Sequence, residues 1–367
     1  MKIAIFHNFL DNIGGAEKVG LTLARKLNAD IYTTNIDKEK IEKMGFPDIL
    51  PRIFSIGKVP KNAPFRQQIA FLKFRFLNLK NKYDFYIIDG DWAMAGVIKN
   101  KPNLWYVHSP IREIWDLYEY TRQNTVPYLL RYIFDLWVVL NRYLNKKYIS
   151  KVDVLVCNSE NTKNRIKKYL KKDAIVISPP IETKKFKFEN FGNYWLSVNR
   201  LINHKRINLQ LKAFSKIPNE KLVIVGSYEN SRHFLKYANY CQKIKPNNVE
   251  IKSWVEQEEL IKLYANCKGF ITTSQDEDFG MNVLEAMASG KPVIAPNEGG
   301  YRETIINGKT GILINDINED KIIMAIKKIG KNSKQYKNAC IEQAQKFNTE
   351  IFIKKIKYLI KKNKLHI

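Results

Sequence analysis

Apolar residues fall along this chain in two rhythms. Short runs rich in β-branched and aromatic residues stand at 2–6, 31–33, 85–88, 104–107, 154–157 and 175–177, and again at 194–198, 221–225, 249–251, 269–272 and 292–294. Between them apolar positions return every three or four residues, the spacing of one helix face. Short, continuously apolar strands, each followed by a helical stretch, predict parallel sheets covered by helices on both faces. Two such series in succession predict an α/β protein of two doubly wound, Rossmann-like domains, with ligands at the carboxyl ends of the strands. A basic segment at 179–193, with Pro179, Pro180 and Gly192, separates the two series. The expected division is a first domain over 1–185 and a second over 186–346, with a last helix at about 347–367 packing back on the first. There is no internal repeat of short period and no low-complexity tail.

One helical stretch carries a second signal. Phe65, Ile69, Leu72, Phe76 and Leu79 form a stripe at helical spacing, in a region from 50 to 83 that has no acid but carries Arg52, Lys58, Lys61, Arg66, Lys73, Arg75, Lys80 and Lys82. A basic amphipathic helix can lie in an anionic membrane interface; the plainer expectation is that the stripe packs on the core while the cations are solvated.

Composition narrows the class. With 367 residues, 45% hydrophobic and 27% charged, the chain can bury a core in each of two ordinary domains. A formal charge of +26 calls for an acidic counterpart: an anionic membrane, a nucleic acid or a phosphate-bearing substrate. No sequence pattern of an RNA-binding sheet or a basic helix-turn-helix accompanies it, so a nucleic acid is not the expected partner. No run approaches the roughly 18 apolar residues of a spanning helix, and the first residues read as a strand rather than a signal peptide. Cys157, Cys241, Cys267 and Cys340 stand far apart, as buried thiols of a reducing compartment do; a cytoplasmic protein is expected.

Candidate chemistry gathers after the strands. In Glu277-Asp278-Phe279-Gly280-Met281-Asn282-Val283-Leu284-Glu285, two carboxylates eight positions apart flank a glycine and a helix start. Such acceptors suit the hydroxyls of a sugar nucleotide whose phosphates lie over free helix N–H groups. A capping role for Glu285 and a solvated one for Glu277 are the structural alternative. Arg200 and Lys205, five apart in a strand-to-helix loop, can clamp a diphosphate; in a chain with 62 Lys and Arg, a merely basic loop is the alternative. Gly14-Gly15 after the first strand lets backbone N–H groups approach a phosphate, without the spacing of a dinucleotide fold. His108, before Ser109-Pro110, ends another strand of the first half. The other histidines, His7, His204, His233 and His366, lack metal-ligand spacing, and no metal or cofactor is expected.

These segments, with Ala286-Met287-Ala288-Ser289-Gly290-Lys291-Pro292 in register, closely resemble the signature of family 4 retaining glycosyltransferases, which have the GT-B fold. The loop at Arg200 and Lys205 resembles the family's G-R-x-x-x-x-K, with Asn199 in place of the glycine. Ser253-Trp254-Val255 occupies the place of its Gly-x-Val beside the nucleobase, and Asn297-Glu298-Gly299-Gly300 matches its turn after the donor helix. With Arg112 and Trp115-Asp116 following, the His108 segment is most similar to that of surface-polysaccharide mannosyltransferases. The resemblance covers nearly the whole chain, most strongly 270–311. It implies metal-independent transfer with retention from a nucleotide-diphosphate sugar, GDP-mannose first, to a glycan or a polyprenyl- or lipid-linked acceptor at the inner face of a membrane. It further implies that Arg200 and Lys205 stabilise the leaving phosphates, Glu277 holds sugar hydroxyls, Glu285 holds the ribose and His108 positions the sugar. Gly14, Gly15, Trp254, Phe279, Gly280 and Met281 would line the donor. The alternatives are another sugar-nucleotide enzyme of the same fold, epimerase-like, or a non-catalytic basic protein that binds membrane or nucleic acid.

Overall fold

A computed structural model describes residues 1–61, 63–226, 232–253 and 255–364. The chain divides into two compact units, Met1–Pro180 together with the chain from Phe352 onward, and Ile181–Ile351. The last helix, Thr349–Lys364, therefore joins the first unit over most of its length, and Phe352 sets its ring edge-on to Tyr106 at 5.6 Å.

The first unit is built on β1 (Ile3–Phe6), β2 (Asp30–Thr33), β3 (Ile53–Ser55), β4 (Phe85–Ile88), β5 (Asn103–Val107), β6 (Val154–Cys157) and β7 (Ile175–Val176). These strands pair in parallel in the order β3-β2-β1-β4-β5-β6-β7. The second unit has β8 (Tyr194–Val198), β9 (Lys221–Val225), β10 (Val249–Lys252), β11 (Gly269–Ile271), β12 (Val293–Pro296) and β13 (Gly311–Ile314), also parallel, in the order β10-β9-β8-β11-β12-β13. Both orders start from the first strand of the unit, add two strands on one side, and then cross to the other side. The crevice at that reversal, between β1 and β4 and again between β8 and β11, is where such folds bind ligands.

Central strands read as continuous apolar runs because both of their faces are covered. All four residues of β1, of β4 and of β12 are buried. The two strands that the apolar pattern left out, β3 and β13, lie at sheet edges. There one flank is open and the burial that makes a strand conspicuous is partial.

The basic stripe departs from the plainer of its two expectations. The helix runs Phe65–Phe76, and the residues it buries are Ala70, Phe71 and Phe74. Phe65, Leu72 and Phe76 of the stripe are exposed instead, while Leu79 lies beyond the helix and is buried. At Phe65, Leu72 and Phe76 the stripe therefore does not pack on the core. Two of its cations also turn back to the protein. Arg66 pairs with Asp11 and stacks 3.9 Å above the Phe9 ring, and the Lys73 ammonium donates to the Ile56 carbonyl at 3.3 Å. The four cysteines are free and buried.

Candidate active site

In the first unit, β1 runs on into His7 and Asn8, and β4 into Asp89, Gly90 and Asp91, on the two sides of the reversal. Asp89 is completely buried and holds two imidazoles: His7 Nδ1 lies 2.9 Å from Oδ2, and His108 Nε2, brought in by the end of β5, lies 2.9 Å from Oδ1. Burial pushes the Asp89 carboxyl up, but the two histidines outweigh it and the net shift is down. His7 is pushed down by burial and up by Asp89, and ends above its ordinary value. An ionised carboxylate only accepts, so both rings donate to it; the Nδ1 of a neutral His108 is then its acceptor. The Asn8 side-chain oxygen accepts from the N–H groups of Trp92 at 3.1 Å and Ala93 at 2.8 Å, tying the ends of β1 and β4 together. Gly20, in the helix Gly15–Leu27, is required here: a Cβ would stand 2.4 Å from Asp89 Oδ2.

Gly14 is the N-cap of that helix, in extended backbone that any residue adopts. A side chain there would meet only the end of Glu17, 2.5 Å from the Cβ position. The Gly14-Gly15 turn does open a helix, but Gly14 is not demanded by backbone strain.

In the second unit, β8 leads to Arg200, exposed just past the strand, and to the 3-10 turn Asn203–Lys205. Asn199 is not among the described residues with left-handed backbone, so the loop forms without the family's glycine. β11 leads to the 272–278 loop. The two loops are stitched together: Thr273 Oγ1 donates to the Lys205 carbonyl at 2.7 Å, and Gln275 N to the His204 carbonyl at 2.7 Å. That stitching brings the Lys205 ammonium to 2.5 Å from Glu277 Oε2. Burial pushes the Glu277 carboxyl up, yet Lys205 beside it, with help from Ser274 and His204, draws it down to about 2. Arg206 adds a second bridge: it donates to both Glu298 oxygens at 3.1 Å, and Glu298 in turn accepts from Asp276 N at 3.1 Å. Gly280 has φ +88°, and a Cβ would strike the Tyr301 ring at 2.6 Å, so glycine alone fits at the start of the helix Met281–Ala288. Asn282 fastens this helix to β8 by donating to the Val198 carbonyl at 2.7 Å.

Not every residue of the signature stands as the resemblance implies. Glu285 is only 9% exposed and accepts from the Tyr264 hydroxyl at 2.9 Å, a protein partner that the linear pattern does not reveal. The Phe279 ring is core, 5.6 Å from that of Phe347, so only its backbone borders the loop. Met281 is half-buried. Lys291 is fully buried between Phe188 and Phe191, at 4.3 and 4.8 Å, and burial lowers its ammonium to about 8; it braces the domain rather than facing the loops. Trp254 lies outside the described residues. Spacing alone assigns Asp89 and His7 no role, although an acid directly after the apolar run 85–88 and a histidine directly after the run 2–6 mark both places in the sequence.

Two family models match, "Glycosyltransferase Family 4" over residues 13–185 and "Glycosyl transferases group 1" over 179–347. The chain belongs to glycosyltransferase family 4. It is an enzyme of the GT-B fold, a glycosyltransferase. It is 29% identical to an alpha-1,3/1,6-mannosyltransferase, ALG2, of Dictyostelium discoideum, over 99% of this chain and 98% of that one. Among solved structures it is similar to sucrose-phosphate synthase of Thermosynechococcus elongatus, with TM-score 0.78 at 18% identity over the whole of both chains. It is also similar to Anabaena Alr3699/HepE in complex with UDP and glucose, with TM-score 0.76 at 17% identity over 98% and 99% of the two chains. No helix among the described residues of this glycosyltransferase is long and apolar enough to cross a membrane.

Proposed function

We propose that this glycosyltransferase moves mannose from GDP-mannose, with retention and without a metal, to a polyprenyl- or lipid-linked glycan at the cytoplasmic face of an anionic membrane. The observation that carries the sugar is the end-to-end similarity to an alpha-1,3/1,6-mannosyltransferase. In this reading Lys205 and Arg200 hold the donor diphosphate. Glu277, kept ionised by Lys205, accepts from the sugar hydroxyls, and the same lysine offsets the repulsion between that carboxylate and the phosphates. The bond from the anomeric carbon to the diphosphate oxygen breaks with its electrons leaving on the diphosphate. The acceptor oxygen bonds to that carbon on the same face and its proton passes to the departing phosphate. His108, oriented by Asp89, positions the sugar. Glu285, anchored by Tyr264, holds the ribose. The exposed Phe65, Leu72 and Phe76 support residence at a membrane.

A thermal-shift panel of GDP-, UDP-, ADP- and dTDP-sugars tests the donor, since a ligand at ~100 times its Kd adds roughly 2.7 kcal/mol of stability. GDP-mannose should stabilise the protein most and be transferred to a polyprenyl-diphosphate glycan as an α-mannoside, read by NMR of the product. Stabilisation and transfer by a UDP-sugar in its place would overturn the mannose reading.

A further inference from the structure

The helix Arg131–Ile149 is apolar on both sides: inward it buries Val138, Tyr148 and Ile149. The same side also carries Asn141 and Asn145, both buried. The Asn141 side-chain oxygen accepts from Gln68 Nε2 at 2.8 Å, and that of Asn145 from Trp115 Nε1 at 3.2 Å. Its outward side, continued by the turn before it, carries Leu129, Tyr132, Ile133, Leu136, Leu140 and Tyr143, all exposed, Leu129 by 85% and Leu136 by 73%. These positions recur every three or four residues and so form one stripe, about 20 Å long. A soluble helix puts such a stripe inside, and a contiguous exposed apolar stripe marks an interaction surface.

The ends of the stripe say what covers it. At one end Arg131 lies 5.4 Å over the Tyr128 ring. At the other Lys147 lies 5.7 Å over the Tyr143 ring, with Lys146 and Lys151 exposed beside it. The one acid of the helix, Asp135, is held by Tyr118 at 2.7 Å and Arg122 at 2.8 Å. An aliphatic centre, tyrosines towards both ends and a cation beside them at each end, Arg131 (which also donates to the Gln123 carbonyl at 3.0 Å) and the lysines, is the chemistry of a helix lying in a lipid headgroup layer. A second copy of the chain fits worse. An antiparallel pairing would bring the lysine end of one stripe to the Arg131 end of the other, and a parallel pairing would bring like ends together, so cation meets cation either way. Anionic lipid satisfies both ends at once.

Resting on the membrane residence proposed above, we propose that the outward face of Arg131–Ile149 is a second membrane-docking surface of this protein besides the Phe65–Phe76 helix, inserting its aliphatic centre between anionic lipids while Arg131, Lys146, Lys147 and Lys151 bind their phosphates. None of its residues belongs to the groups assigned to transfer, so the inference stands apart from the choice of donor and acceptor.

Vesicle co-sedimentation of the full chain tests it, with phosphatidylcholine alone and with added phosphatidylglycerol. Binding should need phosphatidylglycerol and fall with salt. Ile133→Glu with Leu136→Glu should weaken it about a hundredfold or more. Lys146→Glu with Lys147→Glu should weaken it about tenfold or more and flatten the salt dependence. Because the native cysteines are all buried, a Leu136→Cys variant offers a single exposed thiol for an environment-sensitive dye, whose emission should shift to the blue on phosphatidylglycerol vesicles. Donor-induced thermal shifts of all variants should match the parent, which separates lost docking from lost folding. Unchanged partition of the variants, or no dye shift, overturns the proposal. So does a dimer in lipid-free solution that Leu136→Glu splits, which would make this face a subunit interface.

Discussion

The two units share a strand order and carry their polar clusters at the same topological place, yet the clusters are built from different charged groups. At the reversal of the first sheet, one fully enclosed carboxylate lies between two imidazoles, Asp89 with His7 and His108. At the reversal of the second, the partly open Lys205 and Glu277 pair, with Arg206 and Glu298 beside them. The first cluster gathers imidazoles around one carboxylate and fixes the ring of His108. The second pairs an ammonium and a guanidinium with carboxylates and suits anionic phosphates and sugar hydroxyls. Topology decides where chemistry sits; the side chains delivered to that place decide what it can be.

The sharpest way to break the comparison is through the charged pair. Lys205→Met and Glu277→Gln should each lower the rate of sugar transfer by about a hundredfold to a thousandfold. The double variant should be little worse than either single one, because the two act as a unit. A steady-state transfer assay with melting curves as control checks this; near-normal rates in both single variants would remove the pair from the chemistry.

Asp89→Asn comes next. It keeps the shape but leaves two imidazoles beside a neutral amide, and should cost about tenfold to a hundredfold in rate with nucleotide affinity unchanged, since the nucleotide is assigned to the other unit. His108→Ala should follow the same split. An equal loss of affinity, measured by calorimetry, would erase the division of labour between the clusters.

A smaller effect tests the enclosure of the first cluster. Gly20→Ala would place a methyl group 2.4 Å from Asp89 Oδ2 and should destabilise the fold by about 1–3 kcal/mol, read as a shift in denaturant midpoint at unchanged slope. Tyr301 sets the matching limit at Gly280 in the second unit.

The smallest effect separates the clusters by pH. The folded-state value of His7 is raised above 6.5, so its contribution to stability is full below 6.5 and is lost as pH rises through the folded value. The melting-temperature gap between parent and Asp89→Asn should therefore narrow as pH rises from below 6.5. Glu277 has the opposite sign: its value falls from 4.5 to about 2, so its contribution is full above 4.5 and is lost only as pH falls through that interval. Melts of Glu277→Gln against the parent across acid pH check the second half.

Several of these features were legible in the chain and others were not, for a definite reason. The runs at 2–6, 85–88, 194–198 and 269–272 fall on β1, β4, β8 and β11 because burial on both faces writes itself into consecutive residues. The Phe65–Phe76 helix was legible as a helix, but not the side it buries, because Phe71 and Phe74 compete with Phe65, Leu72 and Phe76 and periodicity alone does not rank two apolar faces. The same ambiguity concealed the Arg131–Ile149 helix, whose outward face is as apolar as a core.

By itself the sequence determined the two series of strands, the helices between them, and the places after β5, β8 and β11 where His108, Lys205 and Glu277 stand, since each is a matter of local spacing. Only the tertiary structure decided their partners. His7 and Asp89 are 82 positions apart, Lys205 and Glu277 are 72, and Tyr264 and Glu285 are 21. A hydrogen bond between distant residues leaves no periodic trace in the chain, because it depends on which strands lie side by side and not on the residues that flank either partner.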